Sequence, residues 1–168
     1  MKPAIKDFNC FAYADLYALY KDVYSTSEGM SETLDDKYPC LEDFIEDLVA
    51  LKYLPGAIAF AVEVAGLPVA YLTIRPRSQS RLRHTSDLNM GVAYPARGQG
   101  FGSLILQAGL ERTSASSELE IIYLMVRSDN LPAIHLYKKM GFEELAILNH
   151  DTKIGDTYFD GILMRKFV

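Results

Sequence analysis

Leu16, Leu19, Tyr20 and Val23 recur at helical spacing behind Asp15, and Leu41, Phe44, Ile45, Leu48 and Val49 repeat the pattern with Glu42, Asp43, Glu46 and Asp47 opposite. Two amphipathic helices are expected to open the chain. The acidic run 42–47 reads more simply as a solvated helix face than as a dock for a basic partner. After Pro55-Gly56 the period shortens. Residues Ala57-Ile-Ala-Phe-Ala-Val-Glu-Val64 and Val69-Ala-Tyr-Leu-Thr-Ile74 flank a turn at 65–68 and predict a β-hairpin. Residues 75–83 carry Arg75, Arg77, Arg81 and Arg83 among Ser and Gln, which reads first as a soluble linker and alternatively as a patch that contacts phosphate or substrate.

A third strand, roughly His84 to Val92, leads into a glycine-rich loop and then a helix from about Ser103 to Ser114, with Leu104, Ile105, Ala108 and Leu110 as its apolar positions. Another strand, Ile121 to Val126, precedes a short helix ending near Met140. Asn130 suits its N-cap, Pro132 its first turn and Gly141 its stop. Two β-like segments, about 143–149 and 157–166, close the chain around a loop containing Gly155.

With 168 residues, 49% hydrophobic and 23% charged, the chain suits a single domain spanning 1–168, and it shows no repeat or linker. Its 17 basic and 22 acidic residues give a net charge of -5, which argues against a non-specific hold on nucleic acid and mildly favours cationic substrates. Cys10 and Cys40 have no His or further Cys at ligand spacing, so neither a metal site nor a disulfide framework is expected, and a reduced, cytoplasmic protein follows. The opening residues lack the apolar core of a signal peptide. No apolar run approaches the ~18 residues of a membrane span, so no membrane partner is expected.

The loop Arg97-Gly98-Gln99-Gly100-Phe101-Gly102 stands between a strand and a helix. The first four N–H groups of a helix have no partner within it, and the helix dipole adds about half a positive charge there. A glycine-rich entry lets a pyrophosphate approach that bare backbone, while Arg97 and Gln99 offer a cationic and a neutral donor. A Walker loop would need Lys and Ser/Thr after the last glycine, and Phe101-Gly102-Ser103-Leu104 has no lysine. A dinucleotide fingerprint would need G-x-G-x-x-G after the first strand of its domain and an acid closing the next strand, whereas Glu118 and Glu120 precede theirs.

The segment Val92-Ala-Tyr-Pro-Ala-Arg97-Gly98-Gln99-Gly100-Phe101-Gly102-Ser103-Leu104-Ile105 resembles the acetyl-CoA signature of the GNAT superfamily of N-acetyltransferases. Asn130, Ala133, Leu136, Tyr137 and Gly141-Phe142 resemble its second block, N-x-x-A-x-x-L-Y-x-x-x-G-F. The resemblance implies an α/β (α+β) fold: a first strand near Ala4–Lys6, two helices, the hairpin and a closing antiparallel pair. In its mixed central sheet, strands 84–92 and 121–126 run parallel but splay apart. It implies acetyl-CoA as cofactor, with the backbone of Met90, Gly91 and Val92 pairing with the pantetheine arm like an added strand. Arg97 to Ser103 would hold the pyrophosphate, and Asn130, Ala133 and Tyr137 would lie beside the arm.

The family's chemistry is direct attack by an amine on the thioester, without an acyl-enzyme, and a tyrosine placed like Tyr137 protonates the departing thiolate. Core packing is the plainer role for Tyr137. Reference pKa values of about 8.5 for a thiol and about 10 for a phenol make that transfer feasible without large tuning. The amine must be neutral, so a base or water relay is expected. Candidates are Asp87, His84 and Glu63. In an alternating strand Asp87 faces away from Ser86, Leu88 and Met90, and its aim depends on whether that strand bulges. A non-catalytic acyl-CoA sensor, which needs no base, is the alternative. The acceptor stays open between a small-molecule amine and a protein N-terminus or lysine. In relatives the acceptor groove corresponds to about 24–40 and 149–158, where Asp35, Asp36 and Asp151 could meet a cation. Homodimers are common among relatives, and nothing in the sequence demands one.

Overall fold

The computed structural model describes residues 2–27, 29–115 and 118–168. Its strands are β1 (Ala4–Asp7), β2 (Ile58–Val64), β3 (Leu67–Pro76), β4 (Thr85–Val92), β5 (Ile121–Arg127), β6 (Glu143–Ile154) and β7 (Thr157–Phe167). They form one mixed sheet in the order β1-β2-β3-β4-β5-β7-β6. The helices are α1 (Tyr13–Thr26), α2 (Leu34–Lys37), α3 (Leu41–Tyr53), α4 (Phe101–Ala115) and α5 (Leu131–Lys139).

Alternation along the central strands assigns the two faces. Ala70, Leu72 and Ile74 of β3 join Leu88 of β4 and Ile105 and Leu106 of α4 in one core, which extends to Ile134, Tyr137 and Phe142 at α5. Tyr71 points the other way, into a second core with Leu16, Tyr20 and Val23 of α1 and Phe44 and Leu48 of α3. Tyr20 stacks on Tyr71 with ring centroids 3.9 Å apart and meets Phe44 edge-on at 5.0 Å. Gly91 makes this closeness available: a Cβ there would lie 2.5 Å from Val23 Cγ1 and 2.7 Å from Tyr71 Cε1.

β4 pairs with β3 without a register shift from Ala70↔Val92 to Pro76↔Ser86. Asp87, Asn89 and Gly91 therefore share the α1/α3 face, and no bulge re-aims Asp87. Beside β5, β4 is paired only at Thr85↔Ile121, Ser86↔Ile122 and Asp87↔Tyr123. Beyond Asp87 the parallel strands part, as the family resemblance implied, while β5 stays paired with β7 as far as Arg127↔Gly161.

Three details depart from the sequence reading. α2 was not expected; its single turn is held by a capping box in which Thr33 and Asp36 exchange side-chain and backbone bonds. β3 runs on to Pro76, so Arg75 belongs to a strand rather than to a linker. The closing strands are longer than expected, and β6 slips register between Leu148 and Thr152 around His150, whose φ is 57°. No helix among the described residues is long and apolar enough to cross a membrane.

Candidate active site

The loop between β4 and α4 presents backbone rather than side chains. Gly98 and Gly100 have φ of 74° and 85°, and a Cβ at either would meet nothing within 4 Å, so the outer side of the turn is open. None of the amides of residues 98–103 donates a hydrogen bond among the described residues, and the first bond of α4 runs from Leu104 N to Gly100 O at 3.0 Å. Six successive free amides at a helix start form a seat for an anion, and the residues present fit a pyrophosphate.

The side chains expected to help turn inward. Arg97 Nε donates to Val92 O at 3.1 Å, its Nη1 to Thr26 O at 3.1 Å and its Nη2 to Thr26 Oγ1 at 2.8 Å. Gln99 Nε2 donates to Pro95 O at 3.0 Å. Asp22 Oδ2 accepts the Tyr94 amide at 2.7 Å. These bonds strap the loop's leading edge to the end of α1, so the seat is shaped by Arg97 and Gln99 and lined by amides.

Across the splay, Asn130 caps α5 by accepting the Ala133 amide at 3.3 Å, and Gly141 ends that helix at φ 87°. Tyr137, held edge-on to Phe142 at 5.7 Å, is 9% exposed, and its hydroxyl makes no hydrogen bond among the described residues. Burial pushes its phenol up to about 12. The expectation of a near match to a thiol is thereby corrected: the gap to a free thiol near 8.5 widens to about 3.5 units, because a charged phenolate is poorly solvated there.

On the other face a cleft of about 750 Å³ opens between the sheet and the segment from α1 to α3, lined among others by Tyr24, Tyr38, Arg75, Asp87, Asn89 and Tyr123. Asp87 lies in it with both oxygens taken by Arg77, at 2.9 Å from Nε and 2.7 Å from Nη2. The Arg77 guanidinium also lies 4.8 Å from the Tyr123 ring centre. Arg75 Nη2 sits 2.8 Å from each oxygen of Asp47, which also accepts the Tyr38 hydroxyl at 2.7 Å. Burial, and after it the Asp47 carboxylate, raises the Tyr38 phenol far above its usual range. Lys37 pairs with Glu32 at 2.8 Å. Asn89 Oδ1 is shielded from solvent and has no hydrogen-bond partner among the described residues.

Met90, Gly91 and Val92 lie on the β4 edge that β5 leaves, next to the glycine loop. Of the candidate bases only Asp87 lines the cleft. Glu63 pairs with Lys6 at 2.6 Å at the β1–β2 edge of the sheet, and His84 lies just before β4, outside the cleft lining. Asp36 is used in its capping box. Sequence reasoning missed Asn89, and it named Arg75 only within a run read first as a linker and alternatively as a patch that contacts phosphate or substrate. Continuing the alternation of β3 past Ile74 would have put Arg75 on the face of Thr73 and Tyr71.

A family model described as the acetyltransferase (GNAT) family matches residues 13–142. An N-alpha-acetyltransferase of Sulfurisphaera tokodaii is 36% identical over 104 residues, 56% of this chain and 61% of that protein; the chain thus spans about three fifths of that relative's length. An L-amino acid N-acetyltransferase of Escherichia coli is 28% identical over 127 residues, 76% of each chain. Among solved structures, a GNAT-family acetyltransferase of Streptococcus pneumoniae superposes with a TM-score of 0.92 at 24% identity, over 99% of this chain and all of the other. An acetyltransferase-family structure from Salmonella typhimurium, solved with its cofactor acetyl-CoA, gives 0.87 at 17% identity over 98% and 93%. Together with the glycine loop and the splayed strands, the match over residues 13–142 means that the chain belongs to the acetyltransferase (GNAT) family, whose cosubstrate is acetyl-CoA.

Proposed function

We propose that the chain is an acetyl-CoA-dependent N-acetyltransferase that acts on an α-amine by direct attack. The observation that carries this reading is the row of free amides at 98–103 leading into the gap between β4 and β5, on whose other side the 750 Å³ cleft opens. Acetyl-CoA supplies an activated thioester carbonyl; a C–N bond forms, the C–S bond breaks, and one amine proton is exchanged for one on the thiol.

The amides of 98–103 hold the pyrophosphate, and the β4 edge that β5 leaves at Met90, Gly91 and Val92, where Arg97 Nε already meets Val92 O, takes the pantetheine arm beside Asn130 and Ala133. Tyr137 donates a hydrogen bond to the leaving sulfur, and its raised pKa keeps that proton in place at any physiological pH. Asp87 fixes Arg77 rather than taking the amine proton, because each of its oxygens already accepts a charge-assisted hydrogen bond from that guanidinium. An acceptor with a low amine pKa suits a site without a free base: an α-amine near 8 is neutral in about a tenth of molecules at pH 7, a lysine side chain near 10.4 in about one in two thousand. Of the two named relatives, one is an N-alpha-acetyltransferase and the other an L-amino acid N-acetyltransferase, which supports an α-amine as acceptor.

Thiol release from acetyl-CoA, followed across L-amino acids, short peptides and alkyl diamines with mass detection of the product, tests the reading. Expected is an N-acetylated α-amine with stoichiometric thiol. Tight acetyl-CoA binding with no thiol released from any amine would leave the acyl-CoA sensor, which the engagement of Asp87 by Arg77 favours.

A further inference from the structure

The acceptor cleft holds polar groups that its own fold leaves unused. Asn89 lines the cleft, and its Oδ1 is shielded from solvent with no donor to meet it among the described residues. A buried carbonyl oxygen without a partner is rare in a folded protein and calls for one from outside. It sits on β4 two residues beyond Asp87, on the face that looks toward α1 and α3, beside the edge that β5 abandons. A donor reaching Asn89 Oδ1 would therefore stand next to the gap through which a thioester must be met.

The cations of the cleft differ in how far they are spent. Arg77 has committed its Nε–Nη2 edge to Asp87 and Lys37 is paired with Glu32. Arg75 gives Asp47 a single nitrogen, Nη2, leaving Nε and Nη1 without a partner among the described residues on a side chain that is 40% exposed. Asp47, itself held by the Tyr38 hydroxyl, fixes the plane of that guanidinium in advance. In register Arg75 faces Asp87 and Thr73 faces Asn89, so Arg75 and Asn89 are diagonal neighbours on one face, about 7–8 Å apart at Cα. A hydrogen-bond acceptor and a half-used cation on one face of the same cleft suit a molecule that carries both an amine and a carboxylate.

The charges around them agree. Of the acids lining the cleft, Glu32, Asp47 and Asp87 are each paired with a cation of the chain, and Asp43 accepts the Cys40 thiol at 3.0 Å. A polyamine would find no carboxylate without a partner, whereas a zwitterion brings no net charge. We propose, building on the N-acetyltransferase reading, that the acceptor is a free α-amino acid whose amine donates to Asn89 Oδ1 and whose carboxylate pairs with Arg75. A peptide N-terminus, whose carboxylate has become an amide, forfeits the second contact. Asn89 and Arg75 are thus specificity-determining residues, and neither passes a proton in the reaction.

Matched acceptors decide it: each of several L-amino acids, its carboxamide and a tripeptide beginning with the same residue, assayed by thiol release with the unmodified protein and with Arg75→Gln, Arg75→Lys and Asn89→Ala. Expected for the unmodified protein is a kcat/KM at least about 100-fold higher for the acid than for its amide, carried mainly by KM. Arg75→Gln brings that ratio toward one, Arg75→Lys restores part of it, and Asn89→Ala slows acid and amide alike while the thermal shift with acetyl-CoA persists. Amides or tripeptides turned over as fast as acids overturn the acceptor assignment and leave the acetyltransferase reading standing. So does an Arg75→Gln protein that keeps its acid-to-amide ratio. Acetyl-CoA binding without thiol release from any acceptor overturns both.

Discussion

At the scale of single residues the proposed mechanism asks most of Tyr137, whose burial decides what kind of group it is. With a phenol raised from 10 to about 12, the protonated form prevails throughout pH 6–10. The rate should therefore rise with pH as the acceptor amine loses its proton near 8, and show no fall from Tyr137 below about pH 10. A kcat profile that declines with an apparent pKa between 8 and 10 would remove Tyr137 as the donor. Tyr137→Phe, which keeps the ring against Phe142, is expected to lower kcat by about 100-fold or more while acetyl-CoA affinity changes only a few-fold. Asp87→Asn should cost less than tenfold if Asp87 anchors Arg77, and far more if it takes the proton. The sequence singled out Tyr137 through its spacing from Asn130 and Gly141-Phe142, and Arg75 only as one of four arginines in a run read as a linker or a patch. It did not single out Asn89, because alternation sorts a strand into two faces without saying which face is a cleft.

Elements were legible where a period had room to repeat. The hairpin of β2 and β3, the helices α1, α3 and α4 and the capped α5 all follow from apolar spacing, whereas the four residues of α2 are too few for any period and only Thr33 and Asp36 announce it. The parting of β4 from β5 left no mark in the hydrophobic pattern, since both strands stay apolar on the α4 face after they separate. Two glycines test the element scale from opposite sides. Gly91→Ala puts a methyl against Val23 and the Tyr71 ring, both in the second core, and should destabilise the fold by about 1–3 kcal/mol, read as a lower denaturation midpoint at unchanged slope. Gly100→Asp meets open space but must adopt φ near 85° and sets a negative charge where a pyrophosphate would sit. Its stability should fall by only about 1–2 kcal/mol while acetyl-CoA affinity drops by about 100-fold or more. Equal acetyl-CoA affinity in Gly100→Asp and the parent would move the anion seat away from this loop.

For the whole molecule, the sheet is one surface joined at its middle by three register pairs, Thr85↔Ile121 to Asp87↔Tyr123. One half holds β1 to β4 with α1, α3 and α4; the other holds β5 to β7 with α5. A ligand whose pyrophosphate sits on α4 and whose arm lies between β4 and α5 touches both halves, so its binding energy acts on the seam as well as on the site. At a hundred times its dissociation constant, acetyl-CoA should add about 2.7 kcal/mol, a rise in midpoint of roughly 5–10 °C for a chain of this size, with ATP and NAD giving none. Local protection separates a seam effect from simple binding. Those amides of Leu88 to Val92 that point away from β3 toward the gap, and those at the start of α5, should slow their hydrogen exchange together when acetyl-CoA is added. Slowing confined to 98–103 would mean that the pyrophosphate is held while the arm lies elsewhere. Slowing on both sides of the splay, lost together in Gly100→Asp, would mean that one ligand closes the sheet across its weakest join.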